Sequence, residues 1–376
     1  MIPVDPAKPS LDMLRELTDE HVLTALMRQR RMTRAELAAE TGLSKPTTGE
    51  SVRRLTDAGV VVDTGERSAG GRGRGRVASY YALAETTGVA LAVGIGPEGI
   101  VAECIDAYGD TLARAEHKID RPARPEAVAK AVNAAVEQAA TRPARLAIVS
   151  AAGPVDRATG RLIKVPDQAF LLGELDPAEM LARHVDGPVV VDNDVNWAAQ
   201  AERDHHQDLR DFAYVFLGEG LGCAVVSDGQ VMQGHAGLAG EISHLMTTGP
   251  DGRATRLIDV FRELGLRQAD STAIDVDRLL STATELRQPL GQAISGVLAA
   301  LVALADPETV IIGGPWGSQP VILDTIAAAA TRLPRPVPVR AAELTQEPSL
   351  AGARTEALKR LRAAIISPRS RSGDRP

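Results

Sequence analysis

Residues 70–76 read Gly70-Gly71-Arg72-Gly73-Arg74-Gly75-Arg76, directly behind a segment written as helix, glycine turn, helix. Guanidinium groups on a backbone almost free of other side chains cannot build a core. They can reach into the narrow, negative minor groove of A·T-rich DNA. The run therefore constrains its surroundings. A loop of this kind between two strands, next to paired helices, predicts a winged helix-turn-helix.

The flanking residues agree. Val22, Leu23, Leu26 and Met27 lie three and four apart and predict a first helix from about Asp19 to Arg30. Thr33-Arg34-Ala35-Glu36 has the spacing of a capping box and opens a second helix. Gly42 is suited to a turn with positive φ, Ser44 to capping a third helix, and Pro46 to its first turn. Ala58-Gly59 ends that helix, and Val60–Val62 and Val77–Leu83 read as the strands on either side of the wing. The third helix is the one expected to enter the major groove. Lys45, Thr47, Thr48 and Ser51 are the candidates for base edges, and Arg53 and Arg54 for phosphates. Arg72, Arg74 and Arg76 are the candidates for the minor groove.

Net charge bears on the same point. The whole chain carries −7, which alone argues against DNA. Residues 1–81, however, hold 13 Lys and Arg against 11 Asp and Glu, while the rest holds 29 against 38. Thus the head is at +2 and the body at −9, a division suited to a DNA reader joined to a separate sensor. Two cysteines, Cys104 and Cys223, each in an apolar run, are too few for a disulfide framework and read as buried inert thiols. No signal peptide is evident, and no apolar run reaches the roughly 18–20 residues that span a bilayer. A cytoplasmic, nucleoid-associated protein without a membrane partner is expected.

Beyond residue 88 strands and helices alternate. Val89–Ile95, Ile100–Asp106 and Thr111–His117 read as strands, followed by a helix near 125–140 and a buried strand at Leu146–Ser150. The order recurs with Phe212–Leu217, Cys223–Ser227, a helix near 293–305 and a strand at Thr309–Ile312. The repetition predicts two α/β lobes, about 88–192 and 193–365, with a ligand cleft between them. His205-His206, following a helix, is expected at the surface.

Five segments in order carry a family likeness. They are Ala152-Gly153-Pro154-Val155-Asp156, Asp192-Asn193-Asp194-Val195-Asn196, Leu217-Gly218-Glu219-Gly220-Leu221-Gly222, Ala239-Gly240-Glu241-Ile242-Ser243-His244 and Asp306-Pro307 through Gly313-Gly314. With the N-terminal module they resemble the ROK family of repressors and sugar kinases over nearly the whole chain. The resemblance implies an actin-like, two-lobed sugar-kinase fold at 84–365 behind a winged helix-turn-helix at 1–83, with a disordered tail at 366–376. It also implies that Asn193, Asp194, Glu241 and His244 face a sugar, with Asp194 at the position of the family's catalytic base. Asp167 stands where the family has a sugar-binding Asn, and Asp259 is the nearest match to a further Glu.

The chain departs from the kinase pattern where phosphate would lie. The family's first phosphate loop, Asp-x-Gly-Gly-Thr, is here Gly94-Ile95-Gly96-Pro97-Glu98, and the Thr of the second loop is Glu219. Pro97 removes a backbone donor, and two carboxylates would face a polyanion. The three cysteines that join the family's zinc-binding His are missing after His244, so that loop is expected to be held by packing. No catalytic residue, metal or cofactor is therefore assigned. The expected function is a transcriptional regulator, most simply a repressor that acts as a homo-oligomer, dimer or tetramer, on a palindromic operator and responds to a sugar-like effector. A sugar kinase with a fused DNA module is the alternative.

Overall fold

The computed structural model describes residues 11–68, 77–165, 170–171, 173–206, 208–269 and 271–367. The chain forms two compact units, one of Met1–Ala90 with Ile105–Leu112 and Leu358–Pro376, the other of Leu91–Cys104 with Ala113–Ala357.

In the first unit α1 (Leu11–Gln29), α2 (Arg34–Thr41) and α3 (Lys45–Asp57) accompany a three-stranded sheet of order β1-β3-β2. Its strands are β1 (Arg31–Thr33), β2 (Val61–Arg67) and β3 (Ser79–Leu83). The capping box forms as its spacing predicts. The Thr33 hydroxyl accepts from the Glu36 amide, and the Glu36 carboxylate accepts from the Thr33 amide at 2.7 Å. Gly42 sits at φ 72°, and the Ser44 side chain caps α3 through the Thr47 amide. Val22, Leu23, Leu26, Leu37, Val52 and Leu55 close the core. Helix α1 starts eight residues before the expected Asp19, because Leu11, Leu14 and Leu17 continue the helix without entering that core.

Residues 105–112 and the end of a C-terminal helix belong to this unit too. The Tyr108 hydroxyl accepts from the Leu83 amide at 3.0 Å, and the Arg30 guanidinium pairs with Asp110. Arg362 donates to the Ala107 carbonyl at 2.9 Å.

The second unit holds two five-stranded sheets. The first has order β6-β5-β4-β7-β8, from β4 (Ala90–Gly96), β5 (Gly99–Ile105), β6 (Thr111–His117), β7 (Leu146–Ala151) and β8 (Val189–Asn193). It is accompanied by α4 (Pro125–Ala139) and α5 (Pro177–Leu181). Then come α6 (Asp194–His205) and β9 (Phe212–Leu217), β10 (Leu221–Ser227) and β11 (Gln230–Val231). The hairpin of β12 (Met246–Thr248) and β13 (Ala254–Arg256) precedes α7 (Leu257–Glu263) and α8 (Val276–Ala305). After these follow β14 (Thr309–Gly313), α9 (Pro320–Ala330), β15 (Val339–Ala341) and α10 (Pro348–Ile366). The second sheet has order β11-β10-β9-β14-β15, with β14 parallel to both β9 and β15. Both strand triplets and the helices between them match the alternation in the sequence.

Helix α8 corrects two expectations. It runs for 30 residues, not from 293, because it continues through Pro289. It is also long and apolar enough, by length and composition, to cross a bilayer, contrary to the reading that no stretch qualifies. Leu279, Leu290, Ile294, Val297 and Leu298 bury this apolar face in the same core cluster as Val215, Phe261, Ile312 and Trp316.

Candidate functional site

On α3 the outward set is smaller than expected. Lys45, Thr47 and Arg53 are exposed. Thr48 and Ser51 are fully buried, which removes both from base readout. The Thr48 hydroxyl donates to the Ser44 carbonyl, and Ser51 donates to Asp19 of α1. Arg54 is likewise turned inward. Its guanidinium pairs with Asp19 at 2.6 Å and is only 26% exposed, so it braces α1 against α3. Arg53 pairs with Glu50 and Asp57 on its own helix. The simple count of helix positions missed this because the Asp19 partner lies 32 residues from Ser51 and 35 from Arg54. Ser68 and Ala78 close the β2–β3 hairpin by backbone hydrogen bonding at 2.9 Å, and Arg72, Arg74 and Arg76 lie outside the described residues.

The second unit encloses a cleft of about 690 Å³. Its lining includes the β4–β5 turn, the chain after β7, the β8–α6 junction, the β9–β10 turn, residues 237–244 and the turn after β14. Asn193, Asp194, Glu241 and His244 all line it, so the structure brings these four together; Asp167 lies outside the described residues. Asn193 caps α6 through the Val195 amide at 2.9 Å and donates to the Gly153 carbonyl at 2.9 Å, which fixes the frame beside Asp194. Gly240, next to Glu241, packs closely against the backbone of β10. It sits at φ 95°, and a Cβ there would lie 1.8 Å from the Cys223 carbonyl oxygen.

The acids are electrostatically unusual. Burial raises the Asp194 carboxyl from 3.8 to about 7, with the Glu241 charge adding to the rise. Burial also raises Glu241, opposed by nearby His244. Two partly desolvated carboxyls beside an imidazole offer both donors and acceptors at neutral pH, as a polyol requires. Burial pushes the Cys223 thiol up to about 12, in keeping with an inert side chain.

The phosphate side is different. Pro97 and Glu98 form the β4–β5 turn at the cleft wall, as the sequence implies. Glu219 also lines the cleft, but its carboxylate is ion-paired with Arg121. The expectation of two bare like charges therefore fails at Glu219. Arg121 is 98 residues away, outside any motif, and no sequence signal marks it.

The loop after His244 also differs from expectation. Asp259 sits among Arg256 at 2.6 Å, Arg262 at 3.2 Å and Arg267 at 3.5 Å. Burial would raise the Asp259 carboxyl, but the hydrogen-bonding Arg256 and the other guanidiniums outweigh it and hold the carboxyl low. An ion cluster therefore holds this loop, rather than packing alone. Guanidiniums are donors only, so these residues do not fit the family's zinc. Asp259 is engaged there and is not among the cleft-lining residues.

Comparison with known proteins places this geometry. A model described as ROK family matches residues 90–256, and one described as winged helix-turn-helix DNA-binding matches residues 15–62. The glucokinase of Streptomyces coelicolor is 33% identical over 168 residues, 44% of this chain and 51% of that protein. The chain thus spans about half the length of the Streptomyces glucokinases it matches. An N-acetylmannosamine kinase of Salmonella typhi is 28% identical over 284 residues, 70% of this chain and 96% of that one. Among solved structures, a ROK family transcriptional regulator described as a homolog of the E. coli MLC protein has a TM-score of 0.61. It is 18% identical, covering 94% of this chain and 99% of its own. A ROK family glucokinase from Streptomyces griseus, solved with glucose and AMPPNP, has a TM-score of 0.55 and is 24% identical, covering 72% and 100%. At these identities the structures establish the shared fold.

Proposed function

We propose that the chain, whose residues 90–256 match a model described as ROK family and whose residues 15–62 match one described as winged helix-turn-helix DNA-binding, is a DNA-binding transcriptional repressor whose ROK-like domain senses a sugar or sugar derivative. In this reading residues 1–83 bind the operator and 84–365, in two lobes, bind the effector and dimerise. A homodimer would set two α3 helices in successive major grooves roughly 34 Å apart, with Arg72, Arg74 and Arg76 in the flanking minor grooves. The observation that carries the reading is the contrast within the cleft. The polar set of Asp194, Glu241 and His244 is kept, whereas Pro97 and Glu98 occupy the turn that would cradle phosphate.

The test is operator binding by the purified full chain, followed by fluorescence anisotropy against a sugar panel. Arg72→Ala with Arg74→Ala should weaken binding and flatten its salt dependence. Glu241→Ala should abolish the effector response and leave operator affinity intact. Binding that is indifferent to the wing and to every sugar would overturn the proposal.

A second reading, a sugar kinase with a fused DNA module, has specific support. Asp194 is held near neutrality, Arg121 neutralises Glu219, and relatives bear the names glucokinase and N-acetylmannosamine kinase. Sugar-dependent release of ADP from ATP would decide for it.

A further inference from the structure

At the C-terminal end of α6 the two adjacent histidines do not simply face solvent. His205 Nε2 lies 3.1 Å from Glu343 Oε2, and His206 Nε2 lies 3.3 Å from Glu343 Oε1. His206 Nε2 is also 3.7 Å from Glu202 Oε2. One donor atom from each of His205, His206 and Glu343 falls within 4.8 Å of the others. The imidazoles meet edge to face at 83°, with ring centroids 4.9 Å apart, so the rings do not stack.

Glu202 is the informative member. It is fully buried, and its Oε1 accepts from the Leu344 amide at 2.8 Å, which fixes its orientation. Among the described residues its Oε2 makes no hydrogen bond and lies 3.7 Å from His206 Nε2, which makes none either. Burying a carboxylate oxygen unpartnered is costly, and so is burying an unpartnered imidazole nitrogen beside it. One divalent cation removes both costs, because each atom becomes a ligand.

We propose that His205, His206, Glu343 and Glu202 form a binding site for a divalent transition metal of the zinc class, joining the end of α6 to the residues after β15. Donors about 2.0–2.2 Å from a tetrahedral ion stand about 3.3–3.5 Å apart; the His205–Glu343, His206–Glu343 and His206–Glu202 pairs, at 3.1, 3.3 and 3.7 Å, lie near that spacing. Two imidazoles with two carboxylates suit zinc, or cobalt as its spectroscopic substitute, better than a hard all-oxygen ion such as magnesium. The Leu344 amide supports the buried ligand from outside, as built metal sites require. None of the four ligands is among the residues that line the cleft, although Ala342 and Leu344, on either side of Glu343, are.

The test is isothermal titration of metal-free full-length protein with zinc chloride, with magnesium chloride as comparison, and a parallel melting curve. The expected result is one zinc per chain, a raised melting temperature, no response to magnesium and visible absorption of a four-coordinate ion with cobalt. Glu343→Gln and Glu202→Gln should each weaken zinc by about tenfold or more. Glu343 is half exposed, so its variant keeps the test decisive if the buried substitution fails to fold. Failure to bind zinc overturns the proposal. So does zinc affinity that survives both glutamine variants, which would mean an adventitious surface histidine pair. Neither readout depends on operator or sugar binding, so the outcome is separate from the regulatory reading.

Discussion

Lys45 and Thr47 point outward from α3, while Thr48 and Ser51 are buried against the rest of the head. Neighbours in sequence should therefore respond differently. Lys45→Ala removes a cation from the DNA-facing side of the helix and is expected to weaken operator binding and reduce its salt slope. Thr48→Val should leave that slope unchanged; anisotropy titrations at several salt concentrations check both. A second prediction concerns Asp194. Its folded-state value of about 7 stands above the ordinary 3.8, so the folded chain holds a proton that the unfolded chain releases first. The associated stability is fully present below pH 3.8 and is lost as pH rises through about 7. Asp194→Asn should flatten this decline and melt higher than the parent at pH 8, as differential scanning fluorimetry across pH would record.

Among the elements, the two capped helices of the head are the best tests of local encoding. Thr33→Ala breaks a capping box that is present in full, and should cost α2 about 1 kcal/mol, seen as faster hydrogen exchange of its amides. In α8, Pro289 leaves one carbonyl without its helical partner, so Pro289→Ala should raise the melting temperature, by up to about 3 kcal/mol of stability. These cases also mark what the sequence discloses. The Thr33–Glu36 spacing, Gly42 and the alternating apolar runs depend on contacts within a few residues, and each appears in the fold. Four cleft residues were legible because their motifs hold them at the ends of adjoining elements. The partners of Ser51, Arg54 and Glu219 were not legible. Each is an ion pair or hydrogen bond across 32 to 98 residues, and no periodicity records it. The start of α8 was not legible either: Pro289 lies inside it, where local propensity opposes a helix that burial against the second sheet enforces.

For the whole molecule, the proposed regulation is a statement about linked equilibria. If a sugar lowers operator affinity by some factor, the operator must lower sugar affinity by the same factor. Titrating an effector into free and operator-bound protein should return equal ratios, and a mismatch would show that the two ligands do not share one conformational equilibrium. The placement of α6 adds a mechanical element. It is a single 12-residue helix, with Asp194 at its first position and His205 at its last. At about 1.5 Å per residue the two ends stand some 17 Å apart on one stiff rod. An ion clamped at the far tip would therefore fix the aim of the acid at the near tip, making trace-element supply an input to sugar discrimination.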